Sequence, residues 1–132
     1  MVEDDSDDVE IFNEVLQELG IPNPVVAFDK PHDAYHYLSA QDEQPYIIVC
    51  DVNLPGMSGL EFKNKLDNNE QLRKKSIPFV FYSTSAEKKY VLEAYLELTV
   101  QGYFRKAQNY QDIKNQVRII FEYWKLCQHP NS

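Results

Sequence analysis

Ile47-Ile48-Val49-Cys50-Asp51-Val52-Asn53-Leu54-Pro55-Gly56-Met57-Ser58-Gly59 is the stretch on which the reading of this chain turns. Its first four residues are continuously apolar, the pattern of a strand covered on both faces in a parallel sheet. The run stops abruptly at Asp51, which places a carboxylate at the carboxyl end of a strand. Ser58 is followed three residues later by Glu61, a capping-box spacing that predicts a helix carrying Leu60, Phe62 and Leu66 inward, up to a turn at Asn68-Asn69. Strand, charged end, loop and helix make one βα unit.

The same alternation extends in both directions. Upstream, Phe12, Val15, Leu16 and Leu19 recur at helical spacing behind an acidic opening and stop at Gly20 and Pro22. Val25 to Phe28 reads as a short strand, and Pro31 opens a helix carrying Ala34, Tyr37 and Leu38. Downstream, Phe79 to Tyr82 is a strand closed by Ser83, Thr84 and Ser85, which offer a cap to a fourth helix with Val91, Tyr95 and Leu98 inside. Val100 to Phe104 is the next strand. Ile113, Val117, Ile120, Phe121 and Trp124 then lie at offsets 0, 4, 7, 8 and 11, the strongest helical stripe in the chain, with Asn109 as its cap. Short connections between alternating strands and helices imply right-handed crossovers and an α/β fold, with helices on both faces of an open parallel sheet.

The composition sets outer bounds. At 132 residues and 43% hydrophobic content, one domain over residues 1–132 has enough apolar material for a single core. Thirteen basic against 21 acidic residues leave a net charge of −8, which disfavours nucleic acid as a partner because there is little cationic surface to release counterions. No window approaches the ~18 apolar residues that span a bilayer, and no basic-then-apolar leader opens the chain, so a soluble, cytoplasmic protein is expected. Cys50, inside an apolar run, and the distant Cys127 read as free thiols in a reducing compartment.

Ligands of open parallel sheets collect beyond the carboxyl ends of the strands. Four groups stand there: Glu3, Asp4 and Asp5 before the first helix; Asp51 and Asn53; Ser83 and Thr84; Arg105 and Lys106. Clustered carboxylates must keep a proton or bind a cation, and an all-oxygen set suits a hard ion such as Mg²⁺. A carboxylate can attack phosphorus once a metal and a lysine neutralise the phosphoryl oxygens.

In order and spacing these segments resemble the receiver domain of two-component response regulators, in its short chemotaxis-regulator-like form, over essentially the whole chain. Val2 to Asp8 looks like the acidic pocket, Asp51 to Gly59 like the phosphoacceptor loop, Ser83-Thr84 like the switch hydroxyl and Arg105-Lys106 like the lysine site. The resemblance implies a flavodoxin-like, doubly wound five-stranded parallel sheet of order 2-1-3-4-5. It implies phosphorylation of Asp51 by a sensor histidine kinase or histidine phosphotransfer protein. Glu3, Asp4, Asp51 and the backbone carbonyl of Asn53 would hold Mg²⁺. Ser83 and Lys106 would meet the phosphoryl group, and Tyr103 would turn inward as the aromatic switch. The output surface would be the face of the fourth helix, the last strand and the last helix, with no separate output domain, slow autodephosphorylation at most and a possible homodimer.

Three features depart from the family pattern. Ala107 follows the lysine where the family has proline, so a trans peptide is expected there. Arg105 is polar where relatives are apolar. Only Met1-Val2 precede Glu3, so the first strand is truncated, its neighbours are expected to lack backbone partners, and further residues are expected upstream of Met1. Two other readings remain: a pseudo-receiver adaptor that works without phosphorylation, and a phosphohydrolase of the haloacid dehalogenase type. The latter needs a second acid where Asn53 stands. A calcium loop from Asp51 fails at Phe62, where a bidentate Glu is required. Asp7 and Asp8 read as a solvated helix start, His32 and His36 as surface histidines, and Tyr46, Tyr82 and Tyr90 as packing.

Overall fold

Strands β1 (Ile48–Cys50), β2 (Phe79–Ser83) and β3 (Gly102–Arg105) form a parallel sheet in that order, as described for residues 1–131 by a computed structural model. The register pairs Cys50 with Phe81 and Ser83 with Arg105. Every residue of β1 and β2 is buried, which accounts for their uninterrupted apolar sequence: both sheet faces are covered. Side chains alternate between two cores. Ile48, Cys50, Phe79 and Phe81 pack with Ala34, Leu38, Leu60, Phe62, Leu66, Ala94 and Leu98, whereas Val49, Val80 and Tyr82 pack with Phe12, Val15, Leu16, Val117, Ile120 and Trp124. The first group brings α2 (Pro31–Ala40), α3 (Gly59–Asp67) and α5 (Lys88–Glu97) to one face; the second brings α1 (Ser6–Glu18) and α6 (Tyr110–Leu126) to the other.

The expected five strands are three strands and two single-residue bridges. Val2 bridges in parallel to Cys50 on one side and to Phe28 on the other, so the row runs Phe28, Val2, β1, β2, β3. The expected strand Val25–Phe28 is reduced to a single bridge at Phe28, with Val26 O accepting from the Met1 ammonium (2.9 Å). Val2 nonetheless supplies the partners whose loss was expected. Its N–H donates to Val49 O (2.9 Å) and its carbonyl accepts from Asp51 N (3.0 Å), while Glu3 N donates to Phe28 O and Phe28 N to Met1 O (both 2.9 Å).

Local signals account for most helix ends. Asp5, Ser58 and Asn109 cap α1, α3 and α6 by accepting from Asp7 N, Glu61 N and Asp112 N. Gly20, at φ +70°, closes α1 in a Schellman turn, with Gly20 N to Gln17 O and Ile21 N to Leu16 O. Other expectations are corrected. An additional short helix, α4 (Glu70–Lys74), follows the Asn68-Asn69 turn, capped by Asn69. The Ser83–Ser85 segment does not cap α5; its N-cap is Glu87, without a side-chain bond, because Ser83 Oγ instead accepts from Ser85 N (3.1 Å) and holds a loop. Tyr95 is half exposed, not inside, and small Ala94 takes the buried position. The Tyr95 hydroxyl instead accepts from Tyr103 N (2.9 Å), occupying a donor on the β3 backbone. Both cysteines are free, as expected.

Candidate functional site

Asp51 lies immediately after β1, where burial and the turn into the next loop fix its carboxylate. Oδ1 accepts from Val52 N (2.6 Å) and Asn53 N (3.3 Å), leaving Oδ2 toward the rim. Gly59, the first residue of α3, makes this turn possible: a Cβ there would stand 2.0 Å from the Asp51 carbonyl oxygen. Glu3, placed by the Val2 bridge, is 3% exposed, and Asp51 is 7% exposed. Asp4 is exposed beside them, and ligand oxygens of Glu3, Asp4 and Asp51 all lie within 4.8 Å of one another.

Lys106 enters this cluster from the loop after β3, its backbone N–H donating to Ser83 O (2.9 Å). Its ammonium donates to Glu3 Oε1 (2.5 Å), Asp8 Oδ2 (2.8 Å) and Asp51 Oδ2 (3.1 Å). Asp8, expected at a solvated helix start, is instead a direct partner of the lysine. The signal for it was its place on the first turn of α1, but nothing local says that Lys106 arrives there. The Lys106–Ala107 peptide is trans, as expected, and α6 holds this segment in place: Gln116 Nε2 donates to Arg105 O (2.7 Å) and Ala107 N donates to Gln116 Oε1 (3.3 Å). The Arg105 side chain is exposed.

The electrostatics are divided between two carboxylates. Burial, reinforced by the Asp51 charge, pushes Glu3 up to about 7 despite Lys106. Burial opposes ionisation of Asp51 as well, but the Ser83 hydroxyl and the Lys106 ammonium outweigh it and leave Asp51 below the usual carboxylate range. The pair therefore presents one firmly charged oxygen donor and one that holds its proton near neutrality. Lys106 is pushed upward by its acidic partners and remains charged.

Ser83 is fully buried at the end of β2, while Thr84 is exposed. Tyr103 is half-buried, its ring 5.6 Å from that of Phe81 and its hydroxyl donating to Ser85 O, so it ties β3 to the loop that follows Ser83. Asn53 reaches Asp51 through its backbone N–H. Three convergent carboxylates, one exposed and two buried, form a hard oxygen donor set that suits Mg²⁺ or Mn²⁺, with Lys106 supplying positive charge among them.

Among the described residues no helix is long and apolar enough to cross a membrane. Residues 1–118 match the family model of the response regulator receiver domain. The response regulator Rcp1 of Synechocystis sp. (strain ATCC 27184 / PCC 6803 / Kazusa) is 30% identical over 129 residues, covering 94% of this chain and 86% of that protein. The crystal structure of the phosphorylated cyanobacterial phytochrome response regulator RcpA superposes with a TM-score of 0.87 at 30% identity, over 98% of this chain and 94% of that one. The Mn²⁺-bound form of Rcp1 does so with a TM-score of 0.84, again at 30% identity, over 98% and 95%. An acidic rim built around Asp51 on a flavodoxin-like sheet, and likeness running through nearly the full sequence, make this chain a member of the response regulator receiver family, whose members serve two-component signalling as phosphoacceptors of histidine kinases rather than as turnover enzymes.

Proposed function

We propose that Asp51 accepts a phosphoryl group from a sensor histidine kinase or a histidine phosphotransfer protein in the cytoplasm. Glu3, Asp4, Asp51 and the backbone carbonyl of Asn53 would hold Mg²⁺. Asp51 Oδ2, the oxygen not engaged by backbone donors, attacks phosphorus; the phosphorus–nitrogen bond of the donor breaks and its electron pair returns to the imidazole. A cation held by these oxygens would supply charge neutralisation at the phosphoryl group. Lys106, held beside Oδ2, would supply a second positive charge, and the buried Ser83 would donate its hydroxyl to the product.

The observation that carries this reading is the convergence of Lys106 with Glu3 and Asp51, residues 103 and 55 positions away in sequence. Phosphorylation adds negative charge that competes for Lys106 and draws on Ser83, and Tyr103 links that loop to β3. The output is then the face of α5, β3 and α6, in a single domain over residues 1–132 arranged as a 2-1-3-4-5 sheet. Incubation with acetyl phosphate and Mg²⁺, read by intact mass, is expected to add one phosphoryl group to the wild type and none to Asp51→Asn. An equal adduct on both removes Asp51 as the acceptor, and no adduct on either, with Mg²⁺ still bound, favours a phosphorylation-independent adaptor.

A further inference from the structure

Helix α2 turns Pro31, Ala34 and Leu38 into the core and presents His32 and His36 to solvent. Their Nε2 atoms stand 3.1 Å apart, with ring centroids 4.4 Å apart and planes at 82°. Two imidazole lone pairs at that separation repel unless a proton or a cation lies between them. With metal–nitrogen bonds of about 2.0–2.1 Å, nitrogens at that spacing subtend about 95–102° at a shared ion. That angle falls between the cis angle of a square or octahedral centre and the tetrahedral angle.

The helix carrying the pair is fixed at both ends. Pro31 is buried in its first turn, and Lys75 Nζ donates to the carbonyls of Leu38 (3.1 Å) and Gln41 (2.8 Å) at its C-terminus. Tyr35, between the histidines, has its hydroxyl engaged by Asn69 Nδ2 (2.9 Å). A cation at this place would therefore meet two donors carried one turn apart on an anchored helix, with no backbone left to order. Imidazole nitrogens favour Zn²⁺, Cu²⁺ and Ni²⁺, whereas the carboxylates at the rim favour hard ions.

We propose that His32 and His36 form a second cation site, separate from the acidic rim, that takes one borderline divalent transition-metal ion with water in the remaining positions. The test uses the full chain in saturating Mg²⁺, titrated with Cu²⁺ and followed by electron paramagnetic resonance. The expected result is one ion per chain with superhyperfine coupling from two nitrogens, and a rise in Tm on adding Zn²⁺. His32→Gln and His36→Gln, with helicity checked by circular dichroism, should each weaken Cu²⁺ binding at least tenfold and abolish the Zn²⁺-dependent rise, whereas Asp51→Asn should leave both readouts intact. The proposal is overturned by a wild-type spectrum without nitrogen coupling, by a His32→Gln/His36→Gln double variant of undiminished affinity, or by loss of the signature in Asp51→Asn.

Discussion

Replacing Glu3 by Gln should stabilise the metal-free protein at alkaline pH while removing a cation ligand. Glu3 titrates near 7 in the folded chain against 4.5 for the free side chain, because burial and the Asp51 charge disfavour its ionised form more than Lys106 favours it. Between those two pH values the folded state holds a proton that the unfolded state has lost, so stability falls as pH rises through the interval. At ~1.4 kcal/mol per pH unit the full effect is about 3 kcal/mol, absent below pH 4.5 and complete above 7. Gln reproduces the protonated state at every pH. Urea unfolding without divalent cations should therefore show Glu3→Gln and wild type alike near pH 4.5 and the variant ahead by about 2–3 kcal/mol at pH 8. Mg²⁺ at a hundredfold excess over the wild-type Kd should close most of that gap, since a ligand that binds the folded state stabilises it by about 2.7 kcal/mol there, and the variant, which has lost one of three carboxylates, gains less. A gap between the two proteins that is independent of pH, or a variant less stable than wild type at pH 8 without Mg²⁺, would refute the electrostatic reasoning.

Two further substitutions probe the same rim from other sides. Lys106→Ala leaves Glu3, Asp8 and Asp51 without their shared cation and should cost about 3 kcal/mol or more at neutral pH, part of it recovered on adding Mg²⁺; denaturation curves with and without the ion measure both quantities. Gly59→Ala forces a methyl group against the Asp51 carbonyl, which cannot retreat because Asp51 N is bonded to Val2 O and Gly59 N to Val52 O, so a loss of about 3 kcal/mol or more in urea unfolding is expected, together with weakened Mg²⁺ binding.

Much of this protein was legible one segment at a time. Apolar runs that stop at Asp51 and Ser83 mark strands whose ends face a common rim, and the spacing of Ser58, Asn109 and the stripe from Ile113 to Trp124 fixes where α3 and α6 begin and what they bury. These are properties of neighbours in sequence, where backbone preference and periodicity act directly. Other features depend on distant partners. Whether Val25–Phe28 is a strand rests on its pairing with Met1 to Glu3, distant in sequence, and one bridge is what forms. Whether Tyr95 is inside rests on the size of Ala94 and on a β3 amide that its hydroxyl meets.

The residue types of the acidic rim, their order and the strand ends that carry them were set by the sequence alone, because carboxylates and a lysine at the ends of buried strands have few other places to go. Only the tertiary structure decided that Lys106 spans Glu3, Asp8 and Asp51 together, that Glu3 holds its proton near neutrality while Asp51 does not, and that Gln116 clasps the loop bearing Ala107. Those outcomes depend on angstrom-scale distances and on burial, which are set by how α1, α6 and the sheet pack and not by any one stretch of chain.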